Sequence, residues 1–161
     1  MARDGAHRRY TLAMQTIALV RHAIAIDREE WENDDHLRPL TAKGQRQAEA
    51  IAKELGASPI AEIRSSPALR CVQTVEPLAV RAGITLTIDQ SLMEGSAITL
   101  PKRSAKGLHV LCAHGDNIPA LLDKLGVAWN QCKKGSIWMV TRNDQGKVTN
   151  ARYIETSEKK K

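Results

Sequence analysis

Phenylalanine is absent from this 161-residue sequence, and its aromatic residues are confined to Trp31, Trp129, Trp138, Tyr10 and Tyr153. A core must therefore be built from aliphatic side chains, and 161 residues are enough for one domain with a substantial core. No apolar run approaches the ~20 residues of a membrane-spanning helix. The charged N-terminus lacks the apolar stretch of a signal peptide, so a cytoplasmic enzyme is expected, with no membrane partner. Cysteine is scarce: Cys71, Cys112 and Cys132 are odd in number, widely spaced and without a paired ligand pattern, which implies neither disulfides nor zinc. The tempting Cys112-Ala113-His114 reads as a small buried strand cysteine beside a histidine. No metal and no cofactor is expected.

The net charge of +6 is uneven: the first ten residues contribute +2 and residues 155–161 contribute +1, leaving a modest +3 for the middle. The run Lys159-Lys160-Lys161 reads as a solvated tail. Basic residues are not interleaved with aromatics as on a single-strand binding surface, so nucleic acid is not the expected partner. Residues 1–13 and 155–161 are expected to be flexible tails around one domain spanning 14–154, with no internal repeat or linker.

The middle of the chain alternates strand and helix patterns. Thr16-Ile17-Ala18-Leu19-Val20 is short and β-branched, the pattern of a buried parallel strand. Thr41 is a credible N-cap for a helix whose apolar face is Ala42, Ala48, Ile51, Ala52 and Leu55, closed by Gly56. A strand near Ala61–Ser65 leads into a helix from Pro67 to Arg81 ended by Gly83, with Pro77 expected to bend it or mark its boundary. Ile84–Ile88 alternates as an exposed strand would, and 92–107 is loop-like. The strand Leu108–Ala113 precedes a helix from about Asn117 to Leu125. Ser136–Thr141 and Lys147–Ile154 form an expected antiparallel hairpin. Such alternation implies a layered α/β domain with a mainly parallel sheet.

Chemistry collects at three strand ends. The first delivers Arg21-His22, the second Ser65-Ser66-Pro67 with Arg70 one turn later, and the third His114-Gly115. Open α/β sheets bind ligands at the carboxyl ends of their strands. Two imidazoles and two guanidiniums around one cavity would neutralise a phosphoryl group, the main task in phosphoryl transfer. Taken singly, each has a plainer explanation: a strand-end histidine is often structural, and an arginine on a helix is often surface charge.

As a set these segments resemble the histidine phosphatase superfamily, also called phosphoglycerate mutase-like. The resemblance is carried by Leu19-Val20-Arg21-His22-Ala23, Arg38-Pro39-Leu40-Thr41 with Gly44, Gln47 and Ala48, Ser65-Ser66-Pro67 with Arg70, Gln73 and Thr74, Leu92-Met93-Glu94, and His114-Gly115. They fall in the family's order over roughly residues 15 to 120. Compactness points to the small SixA-like branch, because only nineteen residues separate Glu94 from His114. Ala23 stands where the family usually has glycine, as SixA-like members often do, and Cys71 stands where alanine is usual. The stretch from His22 through Arg28, Trp31, Asp34-Asp35 and Arg38 also resembles histidine-phosphatase domains that follow a Nudix domain in nucleotide-hydrolysing proteins, although this sequence has no Nudix signature.

The resemblance implies a three-layer α/β/α fold and a metal-independent phosphatase working through a phosphohistidine. His22 would be the nucleophile, with Arg21, Arg70 and His114 holding the phosphoryl oxygens. Glu94 would protonate the leaving group, its plainer alternative being a solvated loop residue. Arg38 would reach the substrate from the loop or pair with Asp34 or Asp35. The substrate would be a phosphohistidine on a protein or a small phosphoester. The alternatives are a nucleotide phosphate or anhydride, and a non-catalytic phosphate-binding interaction domain.

Overall fold

The computed structural model describes residues 14–103 and 106–156. Six strands form one sheet: β1 (Gln15–Arg21), β2 (Ile60–Ser65), β3 (Thr87–Ile88), β4 (Leu108–Ala113), β5 (Ser136–Arg142) and β6 (Val148–Glu155). Their spatial order is β3-β2-β4-β1-β5-β6. The pairs β3–β2, β2–β4 and β4–β1 are parallel, while the β5–β6 hairpin joins β1 antiparallel. Three helices cover it: α1 (Ala42–Leu55), α2 (Leu69–Ala82) and α3 (Asn117–Lys124).

Side-chain alternation along the central strand produces the layers. Ala18 and Val20 of β1, with Val110 and Cys112 of β4, pack against Ile51 and Leu55 of α1 and Val75 and Leu78 of α2. Ile17, Leu19 and Leu111 point the other way, onto Ile118, Leu121 and Leu122 of α3. Successive strand residues face opposite sides of a sheet, so a strand apolar on both faces must lie between two helical layers, and the expected three-layer fold is found.

Thr41 caps α1 as the sequence indicated, its Oγ1 accepting from Gly44 N at 3.0 Å. Gly44 lets α1 lie against the chain leaving the first strand: a Cβ there would collide with the Ile24 carbonyl oxygen. Other expectations are corrected. Pro67 is not the first helical residue. Ala68 is extended (φ −62°, ψ 134°), which takes it out of the helical region, so α2 starts at Leu69, and Ser66 Oγ accepts from the Ala68 N–H at 3.3 Å. Pro77 does not interrupt α2, which runs on to Ala82. Val75, Leu78 and Ala79 bury one face on either side of it, and that packing outweighs the ~3 kcal/mol cost of an interior proline. The expected strand Ile84–Ile88 shrinks to Thr87–Ile88, since Ile84 N bonds back to the Ala79 carbonyl at 3.0 Å after Gly83 (φ +68°) ends the helix.

Residues 24–41 form a loop with short helical turns at Arg28–Glu30 and Asp35–Leu37, tied back by an Ala25–Leu40 bridge. Of the expected tails, residues 1–13 and 157–161 lie outside the described residues. Glu155 closes β6, and Thr156 Oγ1 donates to the Gly135 carbonyl at 2.6 Å.

Candidate active site

The parallel register sets Arg21 beside Ala113, so His22 and His114 leave adjacent strands side by side. The His22 N–H donates to the Ala113 carbonyl at 3.1 Å, and the Ser66 N–H reaches the Cys112 carbonyl at 3.0 Å. Three strand ends thus converge on a cleft of about 720 Å³, whose lining includes Arg21, His22, Arg70, His114 and Glu94.

His22 is nearly buried, and its Nδ1 lies 2.8 Å from the Ala23 carbonyl oxygen. A carbonyl only accepts, so Nδ1 carries the proton and Nε2 keeps a lone pair. Burial lowers the imidazole to about 3, with the neighbouring His114, Arg70 and Arg21 pushing the same way against the Ala23 bond. The ring is therefore neutral at physiological pH, and no hydrogen bond from the described residues occupies Nε2. Its backbone is fixed from two helices: Ala23 N donates to Thr74 Oγ1 of α2 at 2.9 Å, and Ile24 N to Gln47 Oε1 of α1 at 2.9 Å.

Arg21 is anchored by Nη1 on the Cys132 carbonyl at 2.7 Å, and its guanidinium lies over Gly115, where a Cβ would come within 2.5 Å of Cζ. Arg70 is 1% exposed. Its Nη1 donates to the Asp35 carbonyl at 3.0 Å, and its Nη2 lies 2.9 Å from Glu94 Oε1 and 3.2 Å from Asp35 Oδ2. Both Nε atoms are buried and bond to no described protein acceptor. Two buried cationic donors without acceptors, beside a neutral imidazole, fit an oxyanion.

His114 Nε2 shares a 2.9 Å hydrogen bond with Ser66 Oγ, and its Nδ1 lies 3.9 Å from Glu94 Oε1. The His22 and His114 ring centroids are 5.4 Å apart. Glu94 is half-exposed at the cleft wall and also meets Arg28 at 3.8 Å. Arg38 lies at the same wall but is buried in its loop, with Nε on Asp35 Oδ1 at 2.9 Å and Nη1 on the Ile26 carbonyl at 2.7 Å. The Asp35 pairing weighed in the sequence is thus realised, and Arg38 shapes the loop as well as lining the cleft. Asp35 gathers three arginines. Burial raises its pKa, but the Arg38 hydrogen bond and the charges of Arg70, Arg38 and Arg28 outweigh this and hold it below the ordinary carboxylate range.

All six residues singled out from the sequence line one cleft. Three of their supports carried no role in the sequence: Gln47, Thr74 and Asn117. Gln47 and Thr74 are polar residues buried within the apolar faces of α1 and α2, a signal legible in the helical periodicity. Asn117 had no such signal. Among the described residues, no group of three or more His, Cys, Asp or Glu side chains could hold a metal ion, and no helix is long and apolar enough to cross a membrane.

Among solved structures, the chain is similar to the protein histidine phosphatase SixA with tungstate (TM-score 0.71, 19% identity, covering 88% of this chain and 97% of that one). It is similar also to a mycobacterial glucosyl-3-phosphoglycerate phosphatase (TM-score 0.65, 16% identity, 89% and 99% covered). Phosphoglycerate mutase from Plasmodium falciparum superposes with a TM-score of 0.61 at 18% identity, covering 92% of this chain and 95% of that one. At these identities the likeness is one of fold. In sequence the chain is 29% identical, over 91% of its length, to the 8-oxo-(d)GTP phosphatase of Mycolicibacterium smegmatis, of which it spans about half (50%). Residues 17–105, more than half of the chain, match the histidine phosphatase superfamily (branch 1), and the chain belongs to that superfamily.

Proposed function

We propose that the protein is a metal-independent phosphatase that forms a covalent phosphohistidine at His22. The observation that carries this reading is the tautomer of His22. Its Nδ1 proton is held by Ala23, its ring is kept neutral by burial, and its Nε2 is the free nucleophilic edge in a cationic cleft. The Nε2 lone pair attacks phosphorus as the bond to the leaving oxygen breaks. Glu94 gives that oxygen its proton. Arg21, Arg70 and His114 donate to the phosphoryl oxygens as charge develops on them. The Ala23 carbonyl, fixed on Nδ1–H, stabilises the positive charge that His22 acquires. In the second half-reaction Glu94 takes a proton from water, the water oxygen bonds phosphorus, the P–N bond breaks and phosphate leaves. Arg70 binds Glu94 and Asp35 in this structure, and an incoming phosphoryl group would replace them as its anion.

The substrate class is a phosphomonoester or a phosphohistidine on a protein, in the cytoplasm. Three free, buried cysteines fit a reducing compartment. A placed carboxyl group favours esters, whose alkoxide needs a proton more than an imidazole does. A second reading, a nucleotide substrate, is favoured by the M. smegmatis relative and by a cleft of about 720 Å³, far larger than one phosphoryl group. Side-by-side turnover of phosphohistidine peptides, nucleotides and sugar phosphates separates these.

The testing experiment is His22→Ala. Turnover of p-nitrophenyl phosphate without added metal should be abolished, and an acid-labile, base-stable phosphoryl label should vanish with it. Persistent activity in the variant, or loss of wild-type activity to EDTA, refutes the mechanism. No turnover by the wild type on any phosphate would leave a binding module.

A further inference from the structure

Glu94 sits on an exposed loop, and among the described residues its carboxylate meets only side chains, Arg70 at 2.9 Å, Arg28 at 3.8 Å and His114 Nδ1 at 3.9 Å, so something else must hold the loop backbone that carries it. The first residue of α3 does so. Asn117 is 4% exposed and spends both edges of its amide on the site. Its Oδ1 accepts from the His114 backbone N–H at 3.0 Å, while its Nδ2 donates to the Leu92 and Met93 carbonyls, each at 3.0 Å. Immediately beyond Glu94, the Gly95 N–H donates to Asp116 Oδ2 at 2.8 Å. Glu94 is therefore bracketed on both sides by the residues that open α3, the same segment that follows His114.

We propose that Asn117 is a positioning residue that fixes the proton-donating Glu94 relative to His114, so that the acid stands on the leaving-group side of the phosphoryl cradle. This rests on the acid role proposed for Glu94. The chemistry of the amide makes the idea specific: one acceptor faces an N–H and two donors face carbonyls, an arrangement no other side chain of that size reproduces. An isosteric carboxylate keeps the acceptor toward His114 but turns lone pairs on the Leu92 and Met93 carbonyls, pushing away the Glu94 loop while leaving His114 in place.

The test is kcat/KM across phosphate monoesters whose leaving groups run from simple alcohols to p-nitrophenol. It is measured for the wild type, Glu94→Gln, Asn117→Asp, Asn117→Ser and the double variant Glu94→Gln/Asn117→Asp, with folding followed by circular dichroism. Asn117→Asp should lose about 10²-fold on alkyl phosphates, the scale of a lost general acid. It should lose little on p-nitrophenyl phosphate, and inhibition by vanadate should be unchanged. The double variant should be no slower than Glu94→Gln, because the two act through one proton transfer. Asn117→Ser, which keeps a small acceptor near His114 but cannot bridge two carbonyls, should repeat the pattern and serves if Asn117→Asp does not fold. If Glu94→Gln is graded by leaving group but Asn117 variants lose activity equally on all esters, or additively with Glu94→Gln, the positioning role is overturned and the acid stands. If Glu94→Gln itself shows no grading, the acid role falls and this inference with it. Failure of both Asn117 variants to fold would make Asn117 a support of the fold, which also overturns the proposal.

Discussion

Gly115→Ala should remove most of the proposed phosphatase activity without unfolding the protein. Gly115 does not adopt a left-handed backbone, so alanine is tolerated by the chain itself, and the three atoms nearest the added methyl all belong to the guanidinium of Arg21. The new Cβ would lie 2.5 Å from Cζ, 2.7 Å from Nη2 and 2.8 Å from Nε. Ordinary carbon contacts are about 3.5–4.0 Å, so the planar group must retreat by about 1 Å. Arg21 cannot slide freely, because Nη1 is tied to the Cys132 carbonyl at 2.7 Å. The retreat therefore tilts the fork away from the phosphoryl position, and a displacement of about 1 Å at a catalytic group can lower the rate about 10²-fold. Stability should change by less than about 1 kcal/mol, since the gain from a stiffer unfolded chain offsets part of the clash. The assay is kcat/KM on p-nitrophenyl phosphate alongside urea unfolding. Arg21→Ala and the double variant Arg21→Ala/Gly115→Ala should be equally slow, because the methyl harms only what Arg21 does. A folded Gly115→Ala protein with wild-type kcat/KM, or a double variant much slower than Arg21→Ala, refutes the argument.

Arg70→Ala should lower kcat/KM by about 2–4 kcal/mol of transition-state stabilisation, the scale of a lost oxyanion donor, with weaker phosphate and vanadate inhibition. Unchanged inhibition would place the phosphoryl group elsewhere. The pH dependence of stability should carry the signature of His22. The unfolded chain binds a proton there near 6.5 and the folded chain only near 3, so acidification between those values favours unfolding. This contribution costs about 1.4 kcal/mol per pH unit below 6.5 and levels off below about 3. Urea titrations at pH 7 and pH 5 should therefore show a smaller loss in His22→Asn than in the wild type, and equal losses would mean that the imidazole is not held neutral by burial.

What could be read from the sequence was whatever depends on local chemistry. Thr41 and Gly56 bound α1 because capping is a matter of a few neighbouring atoms, and the Arg21, His22, Arg70 and His114 cluster follows from strand ends in a parallel sheet. The errors arose where packing or a helix end decides. Pro77 breaks isolated helices, yet here the buried faces of Val75 and Leu78 hold α2 through it. The strand expected at Ile84 fails because the helix end takes its N–H. Asn117 was invisible for a similar reason: its partners lie at Leu92 and Met93, about two dozen residues earlier, and nothing in the helical pattern around it marks a buried amide.

The separation of His22 and His114 has a wider meaning. They extend neighbouring strands whose spacing, about 4.8 Å, is set by backbone hydrogen bonding and is the same in every sheet. The gauge of the phosphoryl cradle is thus a property of peptide geometry, which point substitution does not readily alter. Outside Arg28, Asp35, Arg38 and Glu94, the loops at 24–41 and 93–103 can change in sequence while that gauge, and the group transferred in the proposed reaction, stay the same. A search for new activities by mutagenesis should accordingly yield new leaving groups far more readily than new reactions.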